Sequence, residues 1–131
     1  MRRIIIIISL LLCMTGCQQQ QSVGEIDVMN SHNITSSNHF DQHLSIILNG
    51  NDFDNLELCA DTIIEHCIKN DFPSVKFCYD LQGYPNRISA TVYRTEKDFK
   101  NSNEYFAFTY SADAPCTIKD TDSCTMNIIA N

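Results

Sequence analysis

The sequence predicts a single α+β domain in which one amphipathic helix packs on an antiparallel sheet of about four strands. Apolar residues recur at three-and-four spacing over residues 56–68, which places them along one helical face. In later segments apolar and polar residues alternate, as they do in half-buried strands. The chain has 131 residues, which is enough for one modest hydrophobic core.

The predicted helix is the clearest element of the chain. Its apolar face is formed by Leu56, Cys59, Ala60, Ile63, Ile64, Cys67 and Ile68. Asp54 and Glu57 have the spacing of a capping box, in which each side chain accepts from the other's backbone amide. Pro73 disfavours helical backbone at the residue before it, so we expect the helix to end ahead of this proline.

Strands are predicted on both sides of the helix. A short β-branched run predicts a first strand at residues 43–48. After the helix, alternating residues predict strands at 75–81, 88–92 and 105–110, followed by a last strand at 124–129. The residues between the predicted strands at 75–81 and 88–92 are rich in turn formers, which predicts that these two strands form a hairpin.

This order of elements resembles the cystatin-like arrangement, in which a curved antiparallel sheet grips a single helix. The resemblance is one of element order, and no sequence motif of that family accompanies it. Because unrelated functions share folds, the resemblance implies an architecture and no activity.

The charge balance excludes one class of partner. The chain carries 9 basic and 16 acidic residues and a formal net charge of −7. Proteins that bind nucleic acid depend on positive surfaces to neutralise phosphates, so we expect no nucleic-acid partner. The sequence also lacks the phosphate-binding, serine-nucleophile and Cys-x-x-Cys patterns, so we predict neither a catalytic residue nor a cofactor.

The N-terminus has the layout of an export signal. Two arginines precede an apolar run at residues 4–13, which is too short to span a membrane stably. Residues 14–17 read Met-Thr-Gly-Cys and resemble a bacterial lipobox, with the small Gly16 directly before Cys17. The resemblance implies that residues 1–16 are a lipoprotein signal peptide, that Cys17 receives the lipid, and that the chain is anchored to the extracytoplasmic face of the cell membrane.

Three segments of the chain follow from these patterns. After the signal peptide, residues 17–42 are rich in Gln, Ser and Asn, which predicts a lipidated polar tether. Ile26, Val28 and Met29 could add a short edge strand within it. Residues 43–131 form the predicted single domain.

The cysteines divide into several groups. Cys116 and Cys124 flank a short polar loop and could form a disulfide if the compartment is oxidising, or stay free if it is not. Cys59 and Cys67 are about 12 Å apart along the helix, so they cannot bond each other and are predicted to be small core residues. Cys78 alternates onto the polar side of its predicted strand and is the expected exposed thiol.

Two further groups are candidate interaction sites. Tyr84, Tyr93 and Tyr105 fall on predicted turns and outer strand faces, where they could line a recognition patch. His32, His39 and His43 could capture a metal ion, or they could be incidental residues of a solvated tether.

The leading hypothesis is a small, non-enzymatic, membrane-tethered lipoprotein that binds a protein, a peptide or a small ligand. One alternative is a small exported enzyme or enzyme inhibitor that uses Cys78 or the loop at residues 113–122. Another is a lipoprotein that captures metal with the three histidines.

Overall fold

The computed structural model describes residues 24–130. In chain order the elements are β1 (Asp27–Ser36), β2 (His39–Ile47), α1 (Leu56–Lys69), α2 (Tyr79–Gln82), β3 (Arg87–Tyr93), α3 (Glu96–Lys100), β4 (Phe106–Ser111) and β5 (Thr125–Ala130). The predicted α+β class is confirmed. The predicted signal peptide and Cys17 lie outside the described residues. Within residues 24–130, no helix has the length and apolar content needed to cross a membrane.

The five strands form one mixed sheet in the order β1-β2-β3-β4-β5. β2 and β3 are parallel, and the other neighbouring pairs are antiparallel. The expected antiparallel sheet of about four strands is thus a mixed sheet of five, in which one of the four neighbouring pairs is parallel. β2 and β3 run in the same direction because α1 lies between them in the chain and carries it back across the sheet, as a parallel pair requires.

β1 occupies much of the segment that was predicted to be a tether. It pairs with β2 along its whole length, so the predicted domain onset at His43 falls inside β2. The short edge strand expected around Val28 corresponds to the start of β1, which is longer than expected. Most side chains of β1 are exposed, and an edge strand held by backbone hydrogen bonds tolerates a polar sequence. Composition alone therefore gave the wrong boundary.

Helix α1 has the apolar face that its spacing predicts. Cys59, Ala60, Ile63, Ile64 and Cys67 are buried. The capping prediction is wrong by one residue, because the side chain of Asn55 caps the helix and accepts from the Leu58 amide at 2.8 Å. Asn70, in the left-handed conformation at φ 54°, ends the helix ahead of Pro73, as predicted.

Residues 75–81 do not form the predicted strand. The Asn70 side chain accepts from the Phe77 amide and donates to the Phe77 carbonyl, both at 2.8 Å. These two bonds use backbone groups that a neighbouring strand would need. Residues 79–82 then form the single turn α2, and the Tyr79 hydroxyl donates to Gln42 of β2. The predicted hairpin is absent, whereas the other predicted strands correspond to β2, β3, β4 and β5.

The core lies between α1 and one face of the sheet. The buried side chains of α1 share one cluster with those of four strands, and Met126 and Ile128 of β5 pack against it partly buried. The strand members are Leu44 and Ile46 of β2, Ile88, Ala90 and Val92 of β3, Phe106 and Phe108 of β4, and Val28 of β1. Phe72, just after the helix, closes the core and is 1% exposed. The opposite face of the sheet has no such layer among residues 24–130.

Asn86 joins three segments at one end of the sheet. Its side chain accepts from the Phe40 amide at 2.7 Å and donates to the Cys116 carbonyl at 2.8 Å. Its backbone amide donates to the Phe40 carbonyl, and its carbonyl accepts from the Ala112 amide. Asn86 is 6% exposed, so these bonds satisfy groups that have little access to water.

We expect Asn86→Ala to lower the free energy of unfolding by about 2–4 kcal/mol, because it leaves the Phe40 amide and the Cys116 carbonyl without this partner. Asn103→Ala is the matched control, since Asn103 is exposed and bonds only at the surface; its effect should stay within about 0.5 kcal/mol. Urea unfolding followed by circular dichroism measures both. Equal effects of the two substitutions would contradict the assigned role of Asn86.

Candidate functional site

The sheet face opposite α1, here called the open face, is a grid of three rows across five strands. The registers align Asn30, Ser45, Thr91, Ala107 and Ile129 in the first row, His32, His43, Ser89, Thr109 and Asn127 in the second, and Ile34, Asp41, Arg87, Ser111 and Thr125 in the third. Alternation along each strand keeps these side chains away from the core. Most of them are polar and small.

Helix α3 covers one end of the open face. Ile47 and Tyr93 point to this side, opposite the core residues Ile46 and Val92, yet they are buried. The Phe99 ring of α3 packs edge-on against the Tyr93 ring with their centroids 5.3 Å apart. The middle of the grid stays uncovered, so α3 forms a border rather than a second layer.

A cup of about 320 Å³ occupies the middle of the grid. Short side chains form its floor, and longer ones on the two edge strands, His32 of β1 and Ile129 of β5, form its walls. The other side chains that line it are Asn30, His43, Ser45, Ser89, Thr91, Ala107 and Thr109. A cavity of this size lies at the lower end of the range for small-molecule sites.

A charged cluster begins at the cup, which His43 and Ser89 line, and extends to Asp41 and Arg87 in the third row. Asp41 Oδ2 lies 3.5 Å from His43 Nε2 and 4.0 Å from Arg87 Nε, and Ser89 Oγ donates to Asp41 Oδ1 at 3.3 Å. His43 Nε2 and Arg87 Nε are shielded from solvent and have no hydrogen-bond partner within the described chain. Buried polar atoms without partners are unusual, which makes this cluster a candidate for contact with a ligand.

The three candidate metal-binding histidines are only partly brought together. His32 and His43 are opposite each other in the β1–β2 pair, and their rings stack with centroids 4.7 Å apart at 10°. His39 lies beside the turn, four residues from His43 and hence about 13 Å along the strand. Within residues 24–130, no three His, Cys, Asp or Glu side chains are placed to hold a metal ion.

The three tyrosines predicted to form one patch lie apart. Tyr84 packs against the core side, donates to the Ile68 carbonyl at 2.9 Å and lies under Lys119. Tyr93 is buried beneath α3. Tyr105 packs against the core and carries the Arg94 guanidinium 3.8 Å above its ring. The structure therefore does not bring the three tyrosines together, because the sequence alone does not give the register of the strands.

The cysteines match the predicted environments in three cases. Cys59 and Cys67 are buried in the core, and burial raises the pKa of the Cys59 thiol to about 12. Cys78 is exposed, as predicted, in grooves lined by Lys76 but by no histidine of the described chain. Cys116 and Cys124 are both free thiols in the structure, which is one of the two alternatives that the sequence left open.

A second groove, of about 440 Å³, lies between α1 and the chain that enters β1. His66 and Asp71 line it and bond each other at 2.7 Å, while the Thr62 hydroxyl donates to the Leu58 carbonyl of its own helix. These three polar groups are thus already paired. The cup is the smaller cavity, and it is the better candidate because two polar atoms beside it have no partner.

The hydroxyl residues of the cup were missed in the sequence, which directed attention to tyrosine, histidine and cysteine. The signal that could have found them is the alternation of Ser89 and Thr91 with buried Ala90 and Val92. Alternation shows which residues share a face on one strand. It does not show which residues of other strands stand beside them.

We expect the His66–Asp71 pair to make the free energy of unfolding decrease as the pH falls into the acid range. The hydrogen bond from His66 lowers the pKa of Asp71, and the charges of His66 and Lys69 act in the same direction. A lowered carboxyl pKa adds stability above the unfolded-state value, and that stability is lost as the pH falls through the folded-state pKa. In His66→Leu the NMR titration midpoint of the Asp71 carboxyl should therefore rise.

Lys69→Gln is the matched control, because it removes a charge but leaves the hydrogen bond. Its midpoint should move less than that of His66→Leu. A larger shift in Lys69→Gln would show that charge, rather than the hydrogen bond, controls the Asp71 carboxyl.

Comparisons with known proteins give no match to this chain: no family model, no curated protein and no solved structure matches it. The functional assignment therefore depends on the chemistry of the chain's own residues. Of the sites described here, the cup on the open face combines a small-molecule volume with polar atoms that lack partners.

Proposed function

We propose that this chain is a lipid-anchored, extracytoplasmic lipoprotein whose domain is a non-enzymatic binding module. The ligand, or a side chain of a partner, occupies the cup on the open face. The observation that carries the proposal is His43 Nε2, a shielded nitrogen without a hydrogen bond on a side chain that lines the cup, together with Arg87 Nε, which also lacks one in the neighbouring row of the grid. A bound polar group that reached them would remove an unfavourable feature of the free protein.

Position in the fold also supports the cup. Its floor belongs to three central strands, each paired on both sides, so the short side chains there are held by a rigid framework. Its walls belong to the two edge strands. Sites built on strands hold their polar groups more precisely than sites built on loops, which favours binding by a preformed surface.

The lipid anchor is supported by the lipobox-like residues 14–17. Gly24 is already part of the fold, because its amide donates to the Asn49 carbonyl at 2.9 Å. Only residues 18–23 separate Cys17 from this point, and six residues span at most about 20 Å. This anchor would keep the domain close to the membrane, with the α3 end of the sheet nearer to it than the Asp41 end.

Native mass spectrometry of the full lipidated protein, extracted from its own membrane in mild detergent, tests the binding role. Ser89→Phe fills the cup, whereas Thr35→Phe places the same ring on the other side of β1, where Thr35 is exposed. We expect bound mass on the wild-type chain and on Thr35→Phe, and loss of it from Ser89→Phe at unchanged folded stability.

Two results would contradict this proposal. Retention of the bound mass by Ser89→Phe would place the ligand elsewhere. A wild-type chain that carries no bound mass, and gains none when it is incubated with an extract of its host, would not be a binding module of this kind.

Lipidation has its own test in the host cell. We expect an alkyne fatty acid supplied to growing cells to label the wild-type chain and not Cys17→Ser, because Cys17 provides the thioether for the lipid. Cys13→Ser is the matched control and should keep the label, since Leu12 before Cys13 does not fit the small-residue position. A labelled Cys17→Ser chain would disprove the assigned site.

A further inference from the structure

We infer that the ligand of the cup is a neutral, polyhydroxylated molecule of monosaccharide size, either free or as the terminal unit of a glycan. This inference rests on the proposed function and names the chemical class that the cup fits. It depends on the charges of the open face, on the hydrogen-bonding types of its side chains, and on the spacing of Asp41, His43 and Arg87.

The open face is close to neutral in an acidic protein. The whole chain has a formal net charge of −7 and 16 acidic residues, yet the fifteen grid positions contain one acid, Asp41, and one base, Arg87. These two lie within 4.0 Å of each other and offset each other. A strongly charged ligand would leave water for a surface that offers no net opposite charge, which is costly.

The side chains that line the cup favour hydroxyl groups. Ser45, Ser89, Thr91 and Thr109 are hydroxyls, which donate and accept, as do the amide of Asn30 and a neutral imidazole. A ligand hydroxyl likewise donates and accepts, so it can pair with every member of this set. A carboxylate only accepts hydrogen bonds and an ammonium group only donates them. Each of these charged groups therefore uses only half of the hydrogen-bonding capacity of the side chains that line the cup.

The charged cluster suits a ligand oxygen that both donates and accepts a hydrogen bond. His43 Nε2 and Arg87 Nε lie 3.5 and 4.0 Å from Asp41 Oδ2, which is too far for direct hydrogen bonds. A ligand hydroxyl that enters beside this cluster can accept from His43 or Arg87 and donate to Asp41. A ligand carboxylate in that place would be repelled by Asp41, and a ligand ammonium by Arg87. The Arg87 side chain is 43% exposed, so it is free to turn and admit the hydroxyl.

The walls of the cup match the remaining surface of a sugar. The ring of a monosaccharide carries hydroxyls at its edge and C–H groups on its faces. Ile129 offers an apolar wall on one side of the cup, next to Ala107 of the floor, and Ile129 is 59% exposed in the free protein. Burying the C–H face against this wall removes apolar surface from water on both molecules.

The test is an NMR titration of the full chain in micelles of a detergent that has no sugar headgroup. The probes are glucose, galactose, mannose and N-acetylglucosamine, with glucuronate and glucosamine as charged counterparts. We expect saturable shifts of cup amides with at least one neutral sugar, and at least tenfold weaker binding of both charged probes. Thr91→Val should weaken the neutral sugar by about tenfold through loss of one hydroxyl, whereas Thr35→Val should leave its affinity unchanged.

The outcomes separate this inference from the proposed function. Absence of sugar shifts, or equal affinity for charged probes, would overturn the ligand class; if native mass spectrometry still found a cup-dependent bound mass, the binding role would stand. Absence of both the sugar shifts and the bound mass would overturn the ligand class and the binding role together. Comparison of a binding monosaccharide with oligosaccharides that end in it distinguishes a free sugar from a glycan terminus.

Discussion

The parallel pairing of β2 with β3 is the constraint on which the rest of this structure depends. Two parallel neighbours cannot be joined by a tight turn, so the chain must cross over one face of the sheet. That crossover contains α1, whose apolar face covers the core side of the sheet. Because no second crossover of this kind occurs among residues 24–130, the other face stays open apart from the border made by α3. The site exists because the topology is asymmetric.

Local patterns predicted the elements that depend on burial. The α1 spacing and the alternation in β3 and β4 come from side chains that must leave water, so the positions of these elements can be predicted from the residues. β1 and residues 75–82 depend on backbone hydrogen bonds instead. β1 gains them from β2, and Phe77 loses its backbone groups to the side chain of Asn70. The pairing of β1 leaves no periodic signal in its polar sequence, and the bonds from Asn70 override the alternation present at residues 75–81.

The candidate site was less predictable than the fold, because it is set by register between strands. His32 and His43 were both noticed, yet only the turn at residues 37–38 makes them opposite neighbours. Thr91 and Ala107 became neighbours through the β3–β4 pairing. Residue type alone favoured tyrosine, and the three tyrosines proved to be engaged in packing at separate places. Predicting which side chains form a site on a sheet surface therefore requires the pairing of the strands, not the pattern of each strand alone.

The same registers must be held firmly for the cup to keep its chemistry. A slip of one residue between β2 and β3 would exchange faces, carrying Ser89 and Thr91 into the core and Ala90 and Val92 to the surface. Asparagine side chains hold the register at both ends of the sheet, Asn86 for the β2–β3 pair and Asn49 and Asn51 for the β1–β2 pair. Asn86 fixes the start of β3 to Phe40 at one end, and at the other Asn49 and Asn51 donate to the carbonyls of Glu25 and Gly24, each at 2.7 Å. These amides specify geometry that hydrophobic burial leaves open, so they connect the stability of the fold with the arrangement of the candidate site.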